Sequence, residues 1–165
     1  MANFIPATVS PPDTAPDDPR VGHLLGTSAE KPRVVLLGFP SDEGVRRNGG
    51  RPGAADAPDA IRAFLYKLTP PAEAHDAFTE LLARTHDLGN LEATGDVAQD
   101  QVHLADAVAH CLREDVFPIL IGGGHETSYG HFLGYVQAER DVHLLNWDEE
   151  TKMPRAGAPE RGAAK

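Results

Sequence analysis

Short apolar runs alternate with helical patterns along most of the chain. Four runs have the length and composition of strands, and they cover residues 34–39, 85–90, 117–121 and 142–148. Helical patterns fill most of the intervals, with one helix starting near Asp56 and another over residues 97–114. Strands that alternate with helices predict an α/β fold with three layers, α/β/α, around a parallel sheet.

The third run leads into the most distinctive stretch. Residues 117–121 are apolar throughout, as in a fully covered parallel strand, and three glycines, His125 and Glu126 follow. An apolar stripe then predicts a helix, and it consists of Tyr129, Phe132, Leu133 and Val136. His125 therefore lies at the carboxyl end of a strand, where open α/β sheets bind ligands. The alternative is a tight turn with an incidental histidine.

Two nucleotide-binding motifs are excluded at this turn. Thr127 occupies the position of the third glycine in G-x-G-x-x-G, and the chain contains no P-loop sequence. A small nucleotide-binding domain is therefore disfavoured.

The chain divides into three parts by composition. Residues 1–31 are rich in Pro, Asp, Ala and Ser, which predicts a mobile N-terminal extension. Residues 32–148 carry the strand and helix patterns and form the α/β domain. Residues 149–165 show no period of strand or helix, which predicts a disordered tail.

Charge and composition exclude several classes of partner. The formal net charge of −10 argues against nucleic acid, which requires a basic surface. No apolar run reaches the roughly 20 residues that span a bilayer, so we expect no membrane partner. The single cysteine, Cys111, suits a reducing compartment, and we expect a cytoplasmic protein. A homo-oligomer remains open.

A long polar segment follows the first strand and opens on the same sheet edge as His125. It contains Arg46, Arg47, Asn48 and Arg51. Guanidinium groups bind carboxylates in a bidentate way, so these residues are candidates for binding an acidic substrate. The alternative is that the arginines are solvated loop charges.

These segments together resemble the ureohydrolases, the family of arginase, agmatinase and formimidoylglutamase. Gly-Gly-Gly-His-Glu at residues 122–126 resembles the first metal motif of the formimidoylglutamase branch, and residues 44–62 and 87–90 also resemble that branch. The likeness covers residues 33–148, about the N-terminal half of such an enzyme. It implies a truncated arginase-like fold in which the first strand lies between the second and the third.

The resemblance also implies a dinuclear Mn²⁺ site. The family holds its two ions with histidines and aspartates, which suit manganese. His125 and Asp148 match two of these ligands. Glu150 replaces a histidine and is a substitute ligand, whereas Lys152 replaces an aspartate and does not bind a cation while charged. Glu126 either orients His125 by contacting the imidazole on the side away from the metal, or it is a first-turn acid favoured by the helix dipole.

The implied activity is manganese-dependent hydrolysis of N-formimidoyl-L-glutamate to L-glutamate and formamide, in histidine degradation. Because too few ligands match, we expect this chain to be incomplete and inactive alone. The alternatives are an agmatinase or guanidinobutyrase, and a catalytically silent remnant that binds a partner subunit.

Overall fold

The structure is a computed structural model that describes residues 3–145, so the predictions for Asp148, Glu150 and the tail lie outside the described residues. Its centre is a four-stranded sheet in the order β1-β3-β2-β4. Strand β2 is parallel to both β3 and β4, whereas β1 pairs with β3 in the antiparallel sense. The strands are β1 (Phe4–Ile5), β2 (Val34–Phe39), β3 (Thr85–Leu91) and β4 (Phe117–Gly122). The central position of the first long strand is confirmed.

Helices cover both faces of the sheet. They are α1 (Val21–Leu24), α2 (Glu43–Arg47), α3 (Ala57–Leu65), α4 (His75–Ala83), α5 (Val97–Arg113) and α6 (Thr127–Gln137), with a 3₁₀ turn at Ala54–Asp56. On one face, Val35, Leu37 and Phe39 of β2 pack with Leu104 and Val108 of α5 in the main core. On the other face, α3 and α4 enclose a largely apolar cavity of about 580 Å³ over β2 and β4. The predicted three-layer α/β fold is confirmed. No helix within residues 3–145 is long and apolar enough to cross a membrane.

Helix α6 packs on α5 through its small residues. Gly130 and Gly134 are buried, and a Cβ at Gly134 would lie 2.5 Å from the Cβ of Val108. The apolar stripe that predicted this helix points outward instead, because the closest packing lies on the glycine side. Tyr129 is 58% exposed and Val136 is 53% exposed. The existence of the helix is therefore confirmed, but its apolar stripe does not face the core.

Helix α3 buries a charged residue while two of its apolar residues stay partly exposed. Its apolar residues Ile61 and Phe64 are 46% and 75% exposed, whereas Arg62 is fully buried. Arg62 donates bidentate hydrogen bonds to Asp87 at 2.7 and 2.9 Å, and it also donates to the carbonyl of Gly89 and the side chain of Asn90. Burial alone would lower the pKa of Arg62, but the hydrogen bonds and charge of Asp87 raise it above its usual value. Its satisfied hydrogen bonds therefore allow Arg62 to be buried, although Ile61 of the same helix also lines the apolar cavity over the sheet.

Several of the first residues contact the sheet and its helices. Residues of β1 pair with Asn90 and Leu91 of β3, and Val21 in α1 is buried. Thr8 also donates to Asp59 at 2.6 Å. These contacts are few and come from residues far apart in sequence, so composition gives no sign of them. The mobility of residues 1–31 stays a prediction.

Strand β4 is covered less completely than its apolar sequence predicts. Phe117 is 57% exposed and Ile119 is 41% exposed, while Pro118 between them is buried. The reason is topological, because β4 is the last strand of the sheet in residues 3–145. This edge has an apolar surface.

The predicted fourth strand is wrong over its described residues, 142–145. Residues 142–145 form no strand, and Leu144 and Leu145 are 75% and 85% exposed. A strand is stable only when its backbone groups pair with a neighbour, and no described strand pairs with this segment. The rest of the predicted strand, including Asp148, lies outside the described residues.

Candidate active site

The carboxyl ends of β2 and β4 meet in direct backbone contact. The amide of Gly124 donates to the carbonyl of Ser41 at 2.7 Å. A Cβ at Gly123 would lie 2.0 Å from the same carbonyl oxygen, so only glycine fits there. The glycine run therefore lets the turn after β4 press against the segment after β2. His125 follows at once and is exposed to solvent.

The segment after β2 is more ordered than a long loop. It contains the short helix α2, and Asp42 just before this helix is only 3% exposed. The Asp42 carboxylate accepts a hydrogen bond from the amide of Gly53 at 2.7 Å and forms an ion pair with Arg46 at 3.0 Å. One buried carboxylate thus ties the two ends of the 41–53 segment together.

Glu126 joins this segment to the histidine turn. Its Oε1 accepts hydrogen bonds from the Ser41 hydroxyl at 3.2 Å and from the amide of Gly44 at 3.0 Å. In the part of the chain that the structure describes, the hydrogen bonds of this carboxylate lead to the 41–53 segment and none joins it to His125. That Glu126 orients His125 stays a prediction.

An open cavity of about 670 Å³ lies between the two segments. His125 and Glu126 line it from the turn after β4, and Asn48 lines it from the end of α2. Its remaining walls are mostly apolar and are formed by Gly44, Val45, Ser128, Tyr129, Phe132, Leu144 and Leu145. The outward face of α6 is thus one wall of this cavity. The arrangement can hold a molecule that combines an apolar body with a few polar groups.

Of the four predicted substrate-binding residues, Asn48 alone lines this cavity among residues 3–145. Arg46 pairs with Asp42 at 3.0 Å and lies 3.9 Å from Glu43, and Arg47 pairs with Glu43 at 3.0 Å. Arg51 is exposed at the far end of the segment. The structure therefore brings Asn48 and His125 together, and it places Arg46 and Arg47 against the carboxylates of Asp42 and Glu43.

The described donors do not make a dinuclear metal site. Within residues 3–145 no group of three or more His, Cys, Asp or Glu side chains is arranged to hold a metal ion. His125 is one imidazole at an exposed position, and a single imidazole does not hold two Mn²⁺ ions. Asp148 and Glu150 lie outside the described residues. The described residues therefore do not fit the implied pair of ions.

Sequence reasoning missed three contributions to this site. Ser41 and Asp42 hold the 41–53 segment through hydrogen bonds, and Tyr129 forms an apolar wall of the cavity. The salt bridge between Glu43 and Arg47 was visible in the sequence, because residues four apart meet on a helix. The roles of Ser41 and Asp42 depend on which strands are neighbours, and no local pattern reveals them.

Fold and site define a class: an α/β protein with a ligand cavity at the carboxyl edge of a parallel sheet. The Arginase family model matches residues 32–149, and the chain belongs to this family. The chain is 40% identical over 140 residues to the formimidoylglutamase of Salmonella heidelberg (strain SL476), which covers 80% of this chain and 42% of the relative. It therefore spans less than half the length of the curated relatives it matches.

Solved structures agree with this assignment. A crystal structure of Trypanosoma cruzi formiminoglutamase with Mn²⁺ is similar at a TM-score of 0.64 and 33% identity, over 74% of this chain and 41% of that one. Formimidoylglutamase from Bacillus subtilis is similar at a TM-score of 0.65 and 22% identity, over 83% of this chain and 43% of that one. The second likeness supports the fold alone.

Proposed function

We propose that this chain contributes one wall of the active site of a hydrolase that converts N-formimidoyl-L-glutamate and water to L-glutamate and formamide. The observation that carries the proposal is the cavity shared by His125 and Asn48, in a chain that is 40% identical to a formimidoylglutamase. The reaction breaks an amidine C–N bond of a small molecule, and we place it in the cytoplasm, as part of histidine degradation. The single cysteine is consistent with that compartment.

The described residues have limited but specific roles in this proposal. The Asn48 amide offers hydrogen bonds to a polar group of the substrate. The apolar wall, which includes Val45 and Phe132, contacts the methylene groups of the substrate. His125 supplies an imidazole that lines the cavity from the turn after β4. We propose manganese as the cofactor, with His125 as one of several ligands, the rest lying outside residues 3–145. No reaction step is assigned to the metal, since the described donors do not hold it.

Substrate charge separates the two hydrolase candidates. Formimidoylglutamate carries two carboxylates, whereas agmatine is a cation. Three arginines in the 41–53 segment favour the acidic substrate, but Asp42 and Glu43 neutralise part of that charge. A guanidinobutyrate or agmatine hydrolase is therefore the second candidate.

A chimaeric enzyme tests the proposal without depending on where this chain ends. Residues 32–149 replace the matching part of the Salmonella heidelberg relative, which supplies the remainder. With added Mn²⁺, we expect hydrolysis of formimidoylglutamate with kcat/KM at least about 100-fold above that for agmatine or guanidinobutyrate, because charge mismatches at a site cost several kcal/mol. The unmodified relative is the control. A chimaera that folds but prefers agmatine contradicts the proposal.

A further inference from the structure

Glu126 makes a set of contacts that links the two halves of the candidate site. Its carboxylate is half-buried and comes from the turn after β4, but both of its hydrogen bonds run to the segment after β2. Its own carbonyl accepts a hydrogen bond from Gln101 in α5 at 3.1 Å. Glu126 is thus held from behind by one helix while its side chain reaches forward to another segment.

The neighbouring glycines leave room for this side chain. A Cβ at Gly124 would lie 2.0 Å from Glu126 Oε2, and a Cβ at Gly44 would lie 2.8 Å from the same oxygen. A larger residue at either position would displace the carboxylate. The space around Glu126 is therefore matched to its present rotamer on both sides.

We propose that Glu126 is a positioning residue, which fixes helix α2 against the His125 turn and so sets the place of Asn48 in the cavity. This inference rests on the proposed function for its purpose, but its geometry does not. Gly44 is the second residue of α2, and Asn48 directly follows the last residue of this helix. One hydrogen bond at Gly44 therefore anchors the whole short helix. The hydrogen bond from the amide of Gly53 to Asp42 joins the two ends of the 41–53 segment. Glu126 and Asp42 together therefore restrict the movement of α2.

The chemistry required of Glu126 is acceptance of two hydrogen bonds, and its charge is not needed for that. Glutamine keeps an Oε1 acceptor at the same reach, whereas alanine leaves the Ser41 hydroxyl and the Gly44 amide without their partner. This difference separates hydrogen bonding from attraction to the helix dipole, which needs the negative charge.

Amide hydrogen exchange of the full 165-residue chain, read by NMR, tests this inference. We expect E126A to speed exchange of the Gly44 amide about three- to tenfold, because this amide loses the acceptor of its hydrogen bond. Exchange at Val108 in the core of α5 should stay unchanged. We expect E126Q to restore the Gly44 protection to within about twofold of the native chain. The control is E80A, which removes an exposed carboxylate from α4.

Two results would overturn the inference. If E126A speeds exchange at Gly44 and Val108 equally, Glu126 only stabilises the whole fold. If E126Q behaves like E126A, the effect depends on the negative charge of Glu126, and positioning by its hydrogen bonds is wrong. Since the measurement uses neither substrate nor metal, its failure is distinguishable from failure of the proposed reaction.

Discussion

Replacing Arg62 by alanine is expected to destabilise the chain by about 3–5 kcal/mol, the cost of leaving one member of a buried ion pair without its partner. Arg62 is fully buried, and its guanidinium donates to Asp87, Gly89 and Asn90. Because whole domains are stable by only about 5–15 kcal/mol, this single change removes a large share of the total. Urea unfolding followed by circular dichroism measures it.

Matched variants keep this prediction testable even where R62A fails to fold. R62K retains the charge but loses the bidentate geometry, and we expect a smaller loss than for alanine. R47A removes an arginine whose ion pair with Glu43 is largely exposed, and it should cost less than about 0.5 kcal/mol. If R62A lowers the free energy of unfolding by less than about 1 kcal/mol, the hydrogen bonds of Arg62 contribute little to stability.

We expect the purified chain to self-associate through the edge of β4. Phe117 and Ile119 are exposed on this strand, and in residues 3–145 no strand pairs with its outer edge. Unpaired apolar edges are templates for association with other chains. Size-exclusion chromatography with light scattering should detect oligomers at micromolar concentration.

Lysine substitutions at the edge should disperse these oligomers. Each of the two side chains contributes roughly 1.5–3 kcal/mol when buried, so the double variant F117K/I119K should weaken association more than about 100-fold. V102K is the matched control, because Val102 is 45% exposed on α5 and away from this edge. A native chain that elutes as a single monomer at all concentrations would contradict the prediction.

The strands were largely predictable from the sequence because β2 and β4 are apolar runs with clear ends. The outward orientation of the α6 stripe and the burial of Arg62 in α3 were not. Hydrophobic pattern assumes that apolar residues face the core, but close packing at Gly134 and the hydrogen bonds of Arg62 outweigh that tendency here. The apolar stripe of α6 instead forms a wall of the candidate site.

The site itself was predictable only in part. His125 was found from its place after a strand and a glycine run, and the structure puts it beside a cavity. The role of the arginines of the 41–53 segment in substrate binding stays a prediction, and Arg46 and Arg47 are engaged by nearby acids. The contact of Glu126 with Gly44 joins residues 82 positions apart, so it depends on the tertiary fold.

The kinetic effect of His125 in the chimaeric enzyme tests most directly whether this turn belongs to a hydrolase site. We expect H125A to lower kcat/KM for formimidoylglutamate by at least about 100-fold, together with the bound manganese, because even the outer partners of metal ligands contribute 10–100-fold. H75A, at an exposed histidine of α4, should leave both unchanged. If H125A instead retains full activity and full manganese content, the turn after β4 is a structural feature and the proposed site is wrong.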